Sequence, residues 1–454
     1  MSYKDDYSTL LFDESSTENL DAKKAFNIVL HKLVYFETPE WEIIHGKLNE
    51  NATEKGKMSD KDCYKVGLTK LLQGHSLEAK IEYAKIKDKK YIYNGEYWVE
   101  LDDDLLKAYL RNAALKLGIP EALARDEGFS KKALAQFVAE YFYERAVDTS
   151  TTYLSLKNGL LKINLDGQSL IPFDPKIFQT YQLDYNYDSS AINQEWLNFI
   201  DTVLPDKDTQ KTLQQSLGYL FIRNLKLEKA FFLYGTGANG KSVIFEVIKG
   251  LLAPEMITHN SLTDLTYNLP YFRYQLDGKL INYASDISMK KVDAAVLKQL
   301  VSGEPMVVRQ IEGKSFLMKD YAKLIFNVNK INDADIENTY GFFRRMIFIP
   351  FEVTISPEKQ DKDLHKKLLV NKAGILNWII EGLQEVIKNQ EIYLSAKCEH
   401  FLNNWKKEAS PIQLFLDEYG LEQTAESTTK TISFAEMFKM YGRFCKAQNE
   451  KQPS

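Results

Sequence analysis

The chain has 454 residues, of which 44% are hydrophobic and 27% charged. This is the composition of an ordinary soluble protein that can bury a core in about two to four domains. The formal net charge of −5 excludes a uniformly basic surface, so any contact with nucleic acid would need a local patch or channel of positive charge. No apolar run is long enough to cross a bilayer, no secretory signal is present, and the three cysteines are widely spaced. These features predict a cytoplasmic protein without a membrane partner.

The sequence is predicted to divide into four regions. Residues 1–80 form an N-terminal helical region, and residues 81–190 form an α+β domain that contains a hairpin around Asn94-Gly95. Apolar strands and helices alternate in residues 191–400, as expected for an α/β nucleotide-binding core. Residues 401–454 begin a small helical module.

A glycine-rich pattern between a predicted strand and a predicted helix is the most informative feature. It matches G-x-x-x-x-G-K-[ST] and consists of Gly235, Thr236, Gly237, Ala238, Asn239, Gly240, Lys241 and Ser242. Glycines let backbone N–H groups approach a phosphate closely at the positive end of a helix. The pattern predicts that Lys241 binds the β- and γ-phosphates of ATP and that the Ser242 hydroxyl is a ligand of Mg²⁺.

A second predicted strand, residues 279–285, ends at a carboxylate, Asp286. An acid at the tip of the strand beside the phosphate-loop strand would hold Mg²⁺ or its water. A single aspartate after an apolar run is also common where no such site exists. Because of its place at the end of this strand, Asp286 is nevertheless the candidate metal ligand alongside Ser242.

Three further polar residues follow predicted apolar segments. Asn329 ends a third strand, where its amide could orient the attacking water or contact the γ-phosphate; a turn-forming asparagine is the alternative. Arg344 and Arg345 lie inside an apolar stretch, where an unpaired charge is costly. The two arginines are predicted either to form structural ion pairs or to reach the γ-phosphate of a neighbouring subunit.

Residues 306–318 predict two strands around a turn at Glu312-Gly313-Lys314. Arg309, Lys314 and Lys319 make this hairpin locally basic. Either the hairpin is exposed to solvent and binds nothing, or its positive charges bind the phosphates of a nucleic-acid backbone.

In this order the motifs resemble the helicase part of the phage/plasmid primase–helicase family, a superfamily 3 group of AAA+ helicases. The resemblance rests on the G-x-G-x-N-G-K-S loop, on Asp286-Ile287-Ser288, on residues 297–304, on Asn329, and on Arg344-Arg345 followed by Pro350-Phe351. It spans roughly residues 90–450 and depends on the joint spacing of the motifs. The acidic strand departs from the family because it offers one carboxylate instead of a tandem pair.

The resemblance implies an AAA+ P-loop ATPase core and an ATP-dependent DNA helicase. Such an enzyme would move on single-stranded or forked DNA as a homo-oligomeric ring, expected to be a hexamer, and a separate primase would be a further partner. ATP and Mg²⁺ would bind between subunits, with Lys241, Ser242 and Asp286 in cis and Arg344, or else Arg345, in trans. The basic hairpin would face the pore and follow the DNA backbone through charge.

Two other classes are weighed against this interpretation. The family often carries a primase domain, and Asp102-x-Asp104 could imitate its metal pair, but these aspartates precede a helix as caps. A P-loop kinase or a helicase loader would not need an arginine pair in trans, and a nucleotide-independent monomer would favour that class.

The C-terminal module is expected to be the incomplete start of a winged-helix-like domain, because the family usually continues beyond this point. Ser410-Pro411 predicts the start of one helix. Phe434, Phe438 and Tyr441 give a second helix an aromatic stripe that is predicted to be core.

Overall fold

The structure is a computed structural model. The residues that it describes are 11–15, 18–86, 89–144, 151–164, 167–223, 225–267, 271–287, 292–310, 313–329, 340–408, 415–416, 418–421 and 432–447.

The regular elements alternate along the chain. The helices are α1 (Leu20–Lys32), α2 (Thr38–Asn49), α3 (Asp60–Glu78), α4 (Asp103–Lys116), α5 (Glu121–Ala124), α6 (Glu127–Tyr141), α7 (Gln194–Val203), α8 (Lys207–Leu220), α9 (Lys241–Leu251), α10 (Leu262–Thr266), α11 (Ala294–Val301), α12 (Tyr340–Phe343), α13 (Leu364–Leu368), α14 (Lys372–Asn389), α15 (Ala396–Glu408) and α16 (Phe434–Ala447). The strands are β1 (Tyr83–Ile86), β2 (Lys89–Tyr93), β3 (Trp98–Leu101), β4 (Tyr143–Glu144), β5 (Thr152–Leu156), β6 (Gly159–Asn164), β7 (Gly167–Ile171), β8 (Ala230–Tyr234), β9 (Ile257–Thr258), β10 (Ile281–Ile287), β11 (Met306–Arg309), β12 (Ser315–Met318), β13 (Lys323–Val328) and β14 (Met346–Pro350).

The chain forms two compact units. The first contains Met1–Lys162 and Gln168–Tyr187, and the second contains Ile163–Gly167 and Asp188–Ser454. Among the described helices, none is long and apolar enough to cross a membrane.

The first unit packs its helices around one apolar core. Phe26 and Val29 of α1 are fully buried, and Phe26 stacks on Tyr109 of α4 with ring centroids 4.1 Å apart. The same cluster includes Leu72 of α3 and Ile81. The helical region before residue 80 and the segment after it therefore share one interior.

The hairpin predicted around Asn94-Gly95 is confirmed. Strands β2 and β3 are antiparallel neighbours in a sheet of order β3-β2-β1-β4. Gly95 has a φ of 104°, a conformation that costs glycine little. The Asn94 side chain accepts hydrogen bonds from the backbone N–H groups of Glu96 and Tyr97, which closes the turn.

Asp102 caps α4, as predicted, whereas Asp103 and Asp104 lie in the first turn of the helix. Asp102 accepts a hydrogen bond from a backbone N–H of the first turn at 2.6 Å. Asp103 pairs with Lys90 at 2.7 Å, and Asp104 pairs with Lys107 at 3.0 Å. These carboxylates are occupied by capping and ion pairing, so their contacts do not favour the metal pair of a primase.

The second unit is built on a sheet of order β14-β8-β13-β10-β9, in which every neighbouring pair is parallel. Its strands are buried on both faces, as parallel sheets are. Phe231 contacts Tyr219 of α8, whereas its neighbour Phe232 stacks on Phe348 of β14. Because successive side chains point to opposite faces, α8 covers one face and α15 covers the other through Phe401.

The order of the strands corrects one expectation from the sequence. The strand that ends near Asp286 is β10, and the strand beside β8 is β13, which ends just before Asn329. The prediction that the strand leading to Asp286 lies directly beside the phosphate-loop strand is therefore wrong. Parallel strands are joined by crossovers, so their sequence order does not determine their order across the sheet.

The C-terminal residues that the structure describes form a small separate cluster. Its buried members are Phe415, Tyr441, Phe444 and Cys445. The predicted aromatic core stripe holds only for Tyr441, because Phe434 is 76% exposed and Phe438 is 44% exposed. The buried face of helix α16 consists of Tyr441, Phe444 and Cys445. Ser410-Pro411 lies outside the described residues.

Candidate functional site

The glycine-rich pattern forms the connection between β8 and α9. The backbone N–H of Gly235 donates to the carbonyl of Val328 at the end of β13 at 3.1 Å. The carbonyl of Ala238 accepts from the N–H of Ile355, beyond β14, at 2.7 Å. The loop is thus held by the end of β13 and by the segment after β14, the two strands that flank β8, at the carboxyl edge of the sheet, where ligands bind in open α/β sheets.

The backbone of this loop suits an anion. Gly237, Ala238 and Gly240 have φ values of 122°, 51° and 85°. Successive N–H groups in turns of this kind form concavities that bind anions. Gly240 is also the N-cap of α9, so the positive end of an 11-residue helix adds to the attraction.

Close packing explains two of the glycines. A Cβ atom on Gly240 would lie 2.6 Å from Val203. A Cβ atom on Gly235 would lie 2.0 Å from the Asn239 amide and 2.8 Å from the carbonyl oxygen of Phe351. Both positions therefore require glycine.

Lys241 is the buried cation of the loop, with only 4% of the residue exposed. Its Nζ donates to the carbonyl of Gly235 at 2.6 Å and to Asn239 Oδ1 at 2.8 Å. The Asn239 amide in turn donates to the carbonyl of Phe351. Two oxygen atoms of the loop therefore hold the ammonium group inside the glycine-rich segment. Thr236 and Ser242 are exposed at the same loop.

Asn327 is a site residue that sequence analysis missed. It lies on β13, is 2% exposed, and accepts a hydrogen bond from the Tyr283 hydroxyl of β10 at 2.9 Å. Its amide donates to the carbonyl of Lys241 at 3.3 Å and to Ser285 Oγ at 3.4 Å. Burial raises the pKa of Tyr283 well above its ordinary value, so the hydroxyl keeps its proton. Asn327 thus joins β10 to the first turn of α9.

The sequence did contain a feature that marks Asn327, namely a polar residue inside an apolar strand. An asparagine inside an apolar strand must find partners, because a buried polar group without hydrogen bonds is costly. The sequence does not show which partners those are, since they come from β10 and α9.

Replacing Asn327 with leucine is expected to lower the free energy of unfolding by about 1–3 kcal/mol, because the buried Tyr283 hydroxyl loses its acceptor. Chemical denaturation of the full chain measures this loss. Combining the change with Tyr283→Phe removes both polar groups, so the double variant should lose less than the sum of the two single variants. Strictly additive losses would contradict the hydrogen bond as the cause.

The two predicted strand-end residues lie at the carboxyl edge of the sheet. Asp286 belongs to the last part of β10, where the pairing with β13 shifts register between Ala284 and Ile287; its side chain lies outside the described residues. Asn329 follows β13 directly and is half-buried, one residue beyond the Val328 carbonyl that holds Gly235. Both positions are at the same edge of the sheet as the phosphate loop.

Arg344 and Arg345 share one carboxylate, Glu228. The Nη2 atoms of Arg344 and Arg345 lie 2.7 Å and 3.0 Å from Glu228 Oε2. Arg345 also donates from Nε to Ser302 Oγ at 3.0 Å and from Nη1 to the carbonyl of Gly341 at 2.6 Å. Structural ion pairs, one of the two alternatives predicted for these arginines, are therefore formed, and Arg345 is anchored more firmly than Arg344.

The arginine pair lies at the amino end of β14, level with the start of β8. The backbone N–H of Ala230 donates to the carbonyl of Arg345, and β8 runs in parallel with β14 from there. A five-residue strand such as β8 spans about 17 Å. An arginine at this end cannot reach the phosphate loop of its own chain.

The hairpin predicted over residues 306–318 is confirmed. Strands β11 and β12 are antiparallel, with Val307 opposite Leu317 and Arg309 opposite Ser315. Lys314 and Lys319 are exposed, and Arg309 Nε donates to the carbonyl of Gly313 across the turn. Glu312 lies outside the described residues. The hairpin therefore presents Lys314 at its turn and Arg309 beside the turn, whereas Lys319 lies at the opposite end, directly after Met318.

Metal binding has a limited set of donors at this loop. Among the described residues, no group of three or more His, Cys, Asp or Glu side chains could hold a metal ion. Mg²⁺ in P-loop nucleotide sites needs only a loop serine or threonine hydroxyl and one aspartate from the protein, beside phosphates and water. The exposed Ser242 hydroxyl at the first turn of α9 fits that requirement.

Comparisons with known proteins add the following. Residues 233–345 match a family of unknown function, DUF5906, and this stretch runs from β8 to Arg345. No curated protein matches the sequence.

Solved structures of one protein are similar to this chain. The apo structure of the NrS-1 C-terminal region (305–718) is 14% identical with a TM-score of 0.48, covering 86% of this chain and 91% of that chain. The A form apo structure of the NrS-1 C-terminal region is 14% identical with a TM-score of 0.49, covering 83% and 85%.

Proposed function

We propose that the protein is an ATP-dependent DNA helicase with an AAA+ type ATPase core, working on single-stranded or forked DNA as a ring of identical subunits, expected to be a hexamer. The observation that carries the proposal is the placement of the phosphate loop and the arginine pair at opposite ends of one sheet. Within one chain the arginines cannot serve the loop. In a ring, the amino end of one subunit's sheet can face the loop of the next.

Different groups at the loop are proposed to bind the phosphates, neutralise their charge and hold the metal ion. Backbone N–H groups of residues 235–240 and the N-terminus of α9 bind the phosphates, and Lys241 neutralises charge on the transferred phosphoryl group. Ser242 and Asp286 would hold Mg²⁺, which neutralises charge on the β- and γ-phosphates. Asn329 lies at the same edge and is proposed to orient the attacking water.

The basic hairpin is proposed to carry the contact with DNA. With a net charge of −5, the chain lacks a diffuse basic surface, so a few exposed cations must supply the attraction. In a ring, one Lys314 per subunit becomes a circle of positive charge around a strand. Contacts of this type follow the backbone and not the base sequence.

Replacing Lys314 with alanine is expected to weaken single-strand binding and unwinding of forked DNA far more than ATP hydrolysis without DNA. The slope of log affinity against log salt concentration should become shallower, by roughly one unit for each phosphate that the protein no longer neutralises. Binding to a labelled oligonucleotide at two salt concentrations measures both quantities. Lys388→Ala, which removes an exposed lysine from α14, is the matched control.

Equal affinities and equal salt slopes for wild type and Lys314→Ala would exclude the hairpin as the DNA contact. A helicase loader with the same phosphate loop is the second candidate function. Hydrolysis without strand displacement on forked DNA would favour the loader over the helicase.

A further inference from the structure

The two arginines differ in their freedom to move. The Arg345 side chain is 15% exposed and donates to three partners, Glu228, Ser302 and Gly341. The Arg344 side chain is 43% exposed, and Glu228 is the sole partner of its guanidinium within the described residues. Arg344 thus keeps its Nε and Nη1 donors for another anion, whereas Arg345 is committed to its own subunit.

Glu228 connects the fixed arginine to the free one. A single oxygen atom, Oε2, accepts from both guanidinium groups, and the Glu228 side chain is 34% exposed. Since Arg345 is immobilised by two further hydrogen bonds, Glu228 is held in place and in turn orients Arg344. Hydrogen bonds between ionised groups are about twice as strong as neutral ones.

The backbone of Glu228 is unusual. Its φ is 54°, in the left-handed region that residues other than glycine adopt only at a cost in free energy. Such conformations persist where the surroundings impose them, and they cluster at functional sites. Here the conformation coincides with the carboxylate that bridges the arginine pair.

The surroundings of Glu228 are rich in cations. Lys229 follows it directly and donates from Nζ to the carbonyl of Arg344 at 2.5 Å. Burial, and next the nearby Arg344 guanidinium, lower the pKa of Lys229, and the Glu228 carboxylate opposes that shift. Without Glu228, three positive groups would repel one another, and Arg344 would lose its defined direction.

We propose that Glu228 is the positioning residue for Arg344, and that Arg344, oriented in this way, is the finger that contacts the nucleotide of the neighbouring subunit. The inference rests on the proposed function. It assigns the catalytic contact to Arg344, a structural role to Arg345, and to Glu228 the task of holding the guanidinium ready before the neighbour's γ-phosphate arrives. Preorganised donors of this kind cost no reorganisation at the moment of reaction.

The test replaces Glu228 with glycine, which adopts a φ of 54° without strain and lacks the carboxylate. We expect the kcat for ATP hydrolysis to fall about ten- to a hundredfold, the loss that misplacement of a catalytic group by about 1 Å produces. The KM for ATP should stay unchanged, because the phosphate loop is intact. Glu121→Ala, which removes the exposed partner of Arg125 at 2.8 Å, is the matched control and should leave kcat unchanged.

Mixing experiments separate positioning from general destabilisation. Glu228→Gly mixed with Lys241→Ala should recover activity, because one subunit supplies an intact loop and the other an intact finger. Glu228→Gly mixed with Arg344→Ala should recover none, because both defects lie on the same side of every interface. The double variant Glu228→Gly/Arg344→Ala should be no less active than Arg344→Ala alone.

The outcomes distinguish this inference from the proposed function. If Lys241→Ala and Arg344→Ala fail to complement each other, the shared site between subunits is wrong and Glu228 has no finger to position. If they complement each other but Glu228→Gly keeps the wild-type kcat, the positioning role of Glu228 is wrong, whereas the shared site between subunits stands. A slow Glu228→Gly variant that Lys241→Ala cannot rescue would show a structural role and would also overturn it.

Discussion

Replacing Lys241 with alanine is expected to abolish ATP hydrolysis, with a loss of at least about a hundredfold, as when one preorganised electrostatic donor is removed. The Nζ atom of Lys241 bonds to loop oxygens of Gly235 and Asn239 and not to the apolar core, and in the proposed site its charge would act on the phosphates of ATP. The fold should therefore survive the change. Steady-state phosphate release measures the activity, and the melting temperature reports the fold.

Lys249→Ala supplies the matched control for this prediction. Lys249 lies on the same helix, α9, but its side chain is 50% exposed and pairs with Glu246 at 3.7 Å. Its loss should leave hydrolysis unchanged. Near-normal turnover in a well-folded Lys241→Ala protein would remove the nucleotide site from this loop.

The local parts of the site could be predicted from the sequence. The phosphate-loop pattern, the Asn94-Gly95 turn, the Asp102 cap and the hairpin of residues 306–318 each depend on residues close together in the chain. Glycine, asparagine and capping carboxylates act over a few residues, so their patterns are legible without a fold. The structure confirms the turn, the cap and the hairpin and places the glycine-rich loop between β8 and α9, whereas phosphate binding by that loop stays a prediction.

The non-local parts could not be predicted. The sequence required a counter-charge for Arg344 and Arg345, but it did not identify Glu228, which is 116 residues away from Arg344. Nor did it show that β13 separates β8 from β10, or that Asn327 bonds to Tyr283. Each of these depends on which strands become neighbours, and crossover topology decides that question.

Helical spacing alone was also insufficient at the C-terminus. Phe434, Phe438 and Tyr441 recur at a helical period, yet only Tyr441 is buried. A periodic stripe identifies a face of a helix, but the partner that covers it comes from elsewhere in the chain. In α16 the covered face includes Phe444 and contacts Phe415.

Arg344→Ala is expected to lose ATP hydrolysis by about a thousandfold or more, the value of an arginine finger, while still binding nucleotide. The arginine lies at the amino end of β14, about 17 Å along the sheet from the phosphate loop, so its loss leaves the loop of its own subunit unchanged. Nucleotide affinity, measured with a fluorescent ATP analogue, should match the wild type. Arg345→Ala should instead lower the melting temperature, because Ser302 and Gly341 lose a largely buried partner.

Mixing Arg344→Ala with Lys241→Ala should restore part of the activity, because each variant is intact on the side where the other is defective. At equal ratio and with random assembly, about a quarter of the interfaces in a closed ring combine an intact loop with an intact finger. Activity per subunit of the wild type should also rise with protein concentration until the ring is fully formed. A specific activity that does not depend on concentration, together with no recovery on mixing, would show that hydrolysis takes place within one subunit. In that case the arginine pair would serve only as the structural anchor that Glu228 completes.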